Sequence, residues 1–167
     1  GHTRGVRIDT CIGGYGHDWT VPEVQARVIE WIGCPAVVAV NYAWDCGPWS
    51  PLRCIQPGPK PLFDSDHPSG IPLENGELPT GVTIATAAYE AGIVLLRAAH
   101  KLHKPTVGEA PVGRGKDSPF AFKEPIYEKH VSPWTYPPLA EELAANGAAS
   151  IYSDQGAAGA ATRKTTE

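Results

Sequence analysis

The chain has 167 residues, with 14 Lys and Arg against 18 Asp and Glu and a net charge of −4. That length suits one domain with a real core, and the charge argues against the basic footprint of a nucleic-acid-binding domain. A hydrophobic share of 42% with 19% charged residues describes a globular chain.

No run approaches the ~18–20 apolar residues that cross a bilayer, so no membrane span is expected. No positively charged, apolar leader opens the chain, and a soluble, cytoplasmic protein is the expectation. Gly1-His2 reads as the scar of a cleaved tag or the start of a processed chain, and the absence of Met fits both, so the chain as given is not expected to be a primary translation product.

In chain order, Val6 to Ile12 reads as a short strand ended by Gly13-Gly14. Thr20 stands three residues before Glu23 with Pro22 between them, an N-cap pattern. Val24, Val28 and Trp31 or Ile32 recur at helical spacing, so a helix is predicted from Val21 to Ile32, ended by Gly33. The β-branched run from Ala36 to Tyr42 reads as a buried strand. Residues 43–79 show no periodicity and carry many prolines between Pro48 and Pro79. Such a long connection is usually functional or held by a partner.

Thr80 to Thr86 alternates and reads as a second strand. A helix follows from Ala87 to His103 with Tyr89, Ile93, Leu96 and His100 on one stripe, stopped by Pro105. Residues 105–137 again look irregular, with aromatic clusters at Phe120/Phe122 and Trp134/Tyr136. A last helix is predicted from Pro138 to Ala145 with Gly147 as its left-handed terminator. Ile151-Tyr152 is a candidate strand, and 153–167 a small, polar tail. The order of elements predicts one α/β domain over 1–152, a mixed or parallel sheet with packed helices and long Pro/Gly-rich loops.

Four cysteines, Cys11, Cys34, Cys46 and Cys54, contain no Cys-x-x-Cys pair, so no zinc site and no cofactor are expected. Cys46 and Cys54 could be bridged in an oxidising compartment, with free thiols favoured over disulfides, and Cys34 reads as a buried small hydrophobe. His100 and His103 share a helix face as a metal pair can, but cations in a last turn answer the helix dipole without one. Gly113 to Lys116 lacks P-loop spacing and reads as a turn.

Two thiol constellations remain as candidate catalytic sites. Cys11 lies beside His17 and Asp18 among glycines, and a thiolate nucleophile needs such an imidazole. Asp45-Cys46-Gly47 follows the predicted buried strand, where α/β proteins often place reactive groups, and His67 between Asp64 and Asp66 could fold back to Cys46.

A longer pattern runs through Ile32-Gly33-Cys34-Pro35-Ala36-Val37-Val38-Ala39-Val40, Glu74-Asn75-Gly76-Glu77-Leu78-Pro79-Thr80-Gly81-Val82-Thr83-Ile84 and Glu90 to Ala99. In order and spacing, residues 20–104 resemble the carboxyl-terminal part of amidase-signature hydrolases. The resemblance implies a Gly-x-Pro-Ala turn entering a buried strand, a second strand at 80–84 and a helix after it. The family's catalytic lysine and serines would lie upstream and have no counterpart in this chain.

Three functions follow as expectations. The chain is a subunit or fragment of an amide-bond hydrolase, supplying core sheet and pocket wall to a partner that carries the nucleophile. Alternatively it is a self-contained thiol enzyme using Cys46 or Cys11 with a histidine on a small-molecule substrate. In the third reading it is a non-catalytic structural or binding subunit whose long Pro-rich loops wrap a larger partner. Whichever holds, Trp44, Trp49, Phe120, Phe122 and Trp134 are expected to be covered by a protein partner or a second copy.

Overall fold

A computed structural model describes residues 5, 7–150, 153–154 and 165–166. Among these residues are four helices, α1 (Thr10–Gly13), α2 (Pro22–Gly33), α3 (Thr80–Lys101) and α4 (Pro137–Ala145), and a parallel pair of short strands, β1 (Val40–Ala43) and β2 (Thr106–Glu109), with α3 packed on α2, α4 and β2. Val40 pairs with Thr106 and Ala43 with Glu109. The chain is thus α/β, with α3 in the crossover that lets two strands run parallel. A separate antiparallel contact joins Ser153–Asp154 to Thr165–Thr166.

Helix α2 forms where its periodicity places it, and Val24, Val28 and Ile32 are buried as one stripe. Pro22 occupies the first turn as expected, but Thr20 is not the cap. The cap position is Val21, and the Thr20 hydroxyl donates to Asp18 Oδ1 at 2.7 Å. Helix α4 likewise matches its expectation, and Gly147 beyond it adopts φ 64°.

The predicted strand at 80–86 is instead the start of α3. Read at a period of two, Val82 and Ile84 would share a face. Read at helical spacing, Val82, Ala85 and Tyr89 do, and these are the buried residues while Ile84 is 66% exposed. The threonines that suggested a strand are accommodated because their hydroxyls bond back along the helix, Thr86 Oγ1 donating to the Val82 carbonyl at 3.0 Å. Val37 to Val40 and Val82 to Ile84 are therefore not neighbours in one sheet.

Other boundaries move as well. The strand expected at 36–42 shortens to β1, and Val38 is exposed. A strand, β2, lies inside the segment expected to be irregular. Residues 10–13 turn as α1 where the end of a strand was expected, while Val6 and Ile151-Tyr152 fall outside the described residues. Cys34 is exposed rather than buried. Helix α3 is, by length and composition, apolar enough to cross a membrane, with mean hydropathy 1.4 over its best window, which corrects the expectation of no such stretch. Half of that window is buried in the protein, where α3 packs against α2 and α4.

The core is aromatic. Tyr42 stacks on Trp44, Trp44 on Tyr89, and Trp49 on Phe63, with ring centroids 5.8, 5.0 and 3.9 Å apart. Trp44 and Trp49 are thereby covered by the chain itself and do not call for a partner. Trp134 is half-buried against this core, and Phe122 stays 41% exposed, edge-on to Tyr127 and beneath Arg114.

His130 ties two irregular segments into that core. Its Nδ1 accepts from the Arg114 backbone N–H at 2.9 Å, and its Nε2 donates to the Trp49 carbonyl at 3.0 Å. Burial, opposed by the Trp49 bond and reinforced by the Arg114 charge, holds its pKa below the ordinary 6.5. The unfolded chain therefore binds the proton first, and the stability that neutral His130 contributes is lost as pH falls from 6.5 towards the depressed folded value. Melting temperature measured from pH 7.5 to 5 should fall more steeply for the native chain than for His130→Gln. Parallel slopes would count against this assignment.

Candidate functional site

The thiol constellations do not assemble. Asp45 spends its carboxylate locally, accepting from the Gly47 N–H at 2.9 Å at the start of a 3-10 turn. His67 is closed on Asp64, Nδ1 to Oδ1 at 2.9 Å, and the same oxygen takes the His67 backbone N–H at 2.7 Å. Cys46 is free and exposed, Cys54 is free and half-buried, and burial pushes the Cys54 thiol up. Among the described residues, no hydrogen bond joins Cys46 to an imidazole. In the first constellation, His17 Nδ1 accepts from the Asp9 N–H at 3.2 Å. The Cys11 N–H donates to Asp9 Oδ1 at 2.8 Å, while Asp18 holds Thr20. Asp9, not the thiol, is the hub of that loop. Its carboxyl lies below the usual range, first because of the Cys11 N–H and then because of Arg7. Among the described residues no group of His, Cys, Asp and Glu could hold a metal.

A different set converges where the end of α3 meets α4 and the start of β2. His100 closes the buried stripe of α3 and is the first residue of that stripe to reach solvent, with its side chain 18% exposed. Its Nδ1 lies 3.3 Å from Glu142 Oε1 on α4, and its Nε2 lies 3.3 Å from Thr106 Oγ1 at the head of β2. The pairing of β1 with β2 fixes Thr106 opposite Val40, and this sets where its hydroxyl stands. His103 is not one of these groups: it lies beyond the end of α3 at Lys101, in a left-handed backbone conformation at φ 53°.

Glu142 is held by three groups. Arg97 Nε donates to Oε2 at 2.6 Å, Asn146 Nδ2 donates to Oε1 at 2.8 Å, and His100 shares Oε1. Burial acts to raise its pKa, but the bonds from Arg97, His100 and Asn146 prevail and hold the carboxyl below its ordinary value. Glu142 is therefore a carboxylate near neutrality, fixed in orientation. Arg97, His100, Lys101, Glu142 and Asn146 line an open groove of about 400 Å³.

The chain was compared with protein-family models, with curated proteins and with solved structures. It matches none of them. Function therefore rests on this geometry. A carboxylate, an imidazole and a hydroxyl stand in series, the imidazole able to donate from Nδ1 and accept at Nε2. This is the arrangement by which a hydroxyl is deprotonated and its base kept in one tautomer. Distances of 3.3 Å are at the long end for such bonds, which often tighten only when substrate binds.

Sequence reasoning noticed His100 but paired it with His103, its neighbour at three residues. Thr106, Glu142, Arg97 and Asn146 were missed. The one local signal was an acidic residue in the predicted α4, and its contact with His100 spans 42 positions.

Proposed function

We propose that the chain is a hydrolase of amide or ester bonds, with Thr106 as nucleophile, His100 as general base and acid, and Glu142 as the carboxylate that orients His100. This reading shares only the hydrolase class with the expectation from the sequence: the strand that the amidase resemblance implied at 80–84 is part of α3, and the chemistry moves from the thiols to a hydroxyl. The observation that carries it is the position of His100 between Thr106 Oγ1 and Glu142 Oε1, with His100 and Glu142 lining an open groove.

In the first half-reaction Thr106 Oγ attacks the carbonyl carbon and its proton passes to His100 Nε2. Collapse of the tetrahedral adduct breaks the C–N or C–O bond, and the leaving group takes that proton. Water then attacks the acyl ester, losing a proton to Nε2, and the acid departs as Thr106 Oγ recovers its hydrogen. Glu142 stays ionised throughout and stabilises the transient imidazolium. Arg97 and Asn146 are positioning residues, since both act through Glu142.

Hydrolysis of p-nitrophenyl butyrate by the purified chain tests this directly. Thr106→Ala and His100→Gln should each lower kcat/KM by about 10²-fold, the lower range for loss of a general base. Glu142→Gln should lower it less and shift the pH profile. A fluorophosphonate probe should label Thr106, read by peptide mass spectrometry. Equal rates in native and Thr106→Ala protein, with no label on Thr106, would remove the proposal.

A further inference from the structure

The groove beside His100 carries more positive charge than holding Glu142 requires; Thr106 is not among its lining residues and reaches it through His100. Arg97 and Lys101 lie four residues apart on α3, so they stand on one face with His100 between them in sequence. Among the described residues, Glu142 is the one carboxylate that lines the groove with them. Arg97 uses Nε for Glu142, its side chain is 55% exposed, and its remaining N–H groups form no hydrogen bond among the described residues. Lys101 is exposed and bonded to no carboxylate among the described residues. Even with about half a negative charge at the carboxyl end of α3, two cations against one anion leave the groove positive. The chain as a whole carries −4, so this is a local feature and not the tone of the surface.

A guanidinium with free N–H pairs and an ammonium one turn away form a fork and a point charge, a combination suited to a carboxylate. We infer that the substrate carries a carboxylate a few bonds from the scissile acyl group, held by Arg97 and Lys101 while the carbonyl lies at Thr106. The inference rests on the hydrolase reading for the bond that is cleaved, but the anion site itself does not. Substrates of this class are acyl chains ending in an acid, such as monoamides or monoesters of a dicarboxylic acid.

Two p-nitroanilides of similar length, glutaryl and butyryl, differ by the carboxylate alone. The native chain should prefer the glutaryl compound by about 10-fold in kcat/KM, the size of a charge-assisted hydrogen bond. Lys101→Ala should bring the ratio towards one, mainly through a higher KM for the glutaryl substrate, and added salt should do the same. Binding of glutarate alone, followed through the His100 imidazole signals by NMR, gives a readout free of turnover. Saturable shifts that vanish in Lys101→Ala support the anion site. Equal hydrolysis of both anilides, with both rates lost in His100→Gln, would overturn the inference and leave the hydrolase reading standing. Absence of any hydrolysis would strike the hydrolase reading. The anion site would then stand or fall with the glutarate shifts, and no shift would overturn it.

Discussion

Gly92→Ala should destabilise the protein by about 3 kcal/mol or more, although alanine in place of glycine ordinarily strengthens a helix by about 1 kcal/mol. The sign reverses because Gly92, buried in the middle of α3, is the seat of the Trp44 indole. A Cβ there would lie 2.1 Å from Trp44 Cζ3 and 2.5 Å from Cη2. The indole is confined, since it is 7% exposed, stacked on Tyr42 and Tyr89 at interplanar angles of 13° and 15°, and backed by Gly108 of β2 near its Nε1. Gly81→Ala on the same helix is the control. Its Cβ would meet only the mobile end of Leu62, 3.1 Å away, so a change within about 1 kcal/mol is expected. Urea unfolding of both variants decides the matter. Trp44→Phe in the Gly92→Ala background should recover part of the loss, because the outer ring atoms that collide are gone. A Gly92→Ala protein as stable as the native one would mean that Trp44 does not sit on α3.

This packing bears on which parts of the fold could be read from sequence. Helices α2 and α4 were legible because each has a single apolar stripe with a proline at its start, and α4 has a left-handed glycine after it. The first turns of α3 were not. Thr80, Thr83 and Thr86 imitate strand composition, and alternation and helical spacing both pass through Val82. Burial decided between them: α2 and α4 both pack on α3 and Trp44 sits against it, and a strand at 80–86 would put Val82 and Ala85, both buried, on opposite faces. Strand β2 has only four residues, Thr106–Glu109, and its partner lies over sixty positions earlier, so nothing local announces it. The candidate site fails the same way. Glycines and a thiol near a histidine drew attention to Cys46 and Cys11, whereas Asp45 and Asp9 turn out to serve their own loops. The groups that do meet, Thr106, His100 and Glu142, come from three elements and meet only through the tertiary fold.

Tyr89→Ala is expected to be the more damaging core change, at about 3–5 kcal/mol, a large share of the ~5–15 kcal/mol that keeps a domain folded. Tyr89 is 2% exposed and packs against three of the other rings of the aromatic core. It stacks on Trp44, leans on Trp49 at 58°, and meets Tyr136 edge-on with centroids 6.0 Å apart. Its hydroxyl donates to the Asp45 carbonyl at 3.2 Å, and burial holds that phenol far above its ordinary pKa, so it remains a donor. Tyr89→Phe removes only this bond and should cost about 1 kcal/mol. The difference between the two variants separates the ring from the hydroxyl. Tyr136 stands immediately before α4, the helix that carries Glu142, so the ring of Tyr89 also sets how α4 lies on α3. Under conditions where both variants remain folded, Tyr89→Phe should retain hydrolysis and the His100 imidazole signals of the native chain. Tyr89→Ala should shift those signals and lower kcat, because Glu142 and His100 reach each other from the two helices that this ring helps to align. Should Tyr89→Ala unfold with the same midpoint as Tyr89→Phe, the aromatic stack would not be what holds α3, α4 and the segment around Trp49 together.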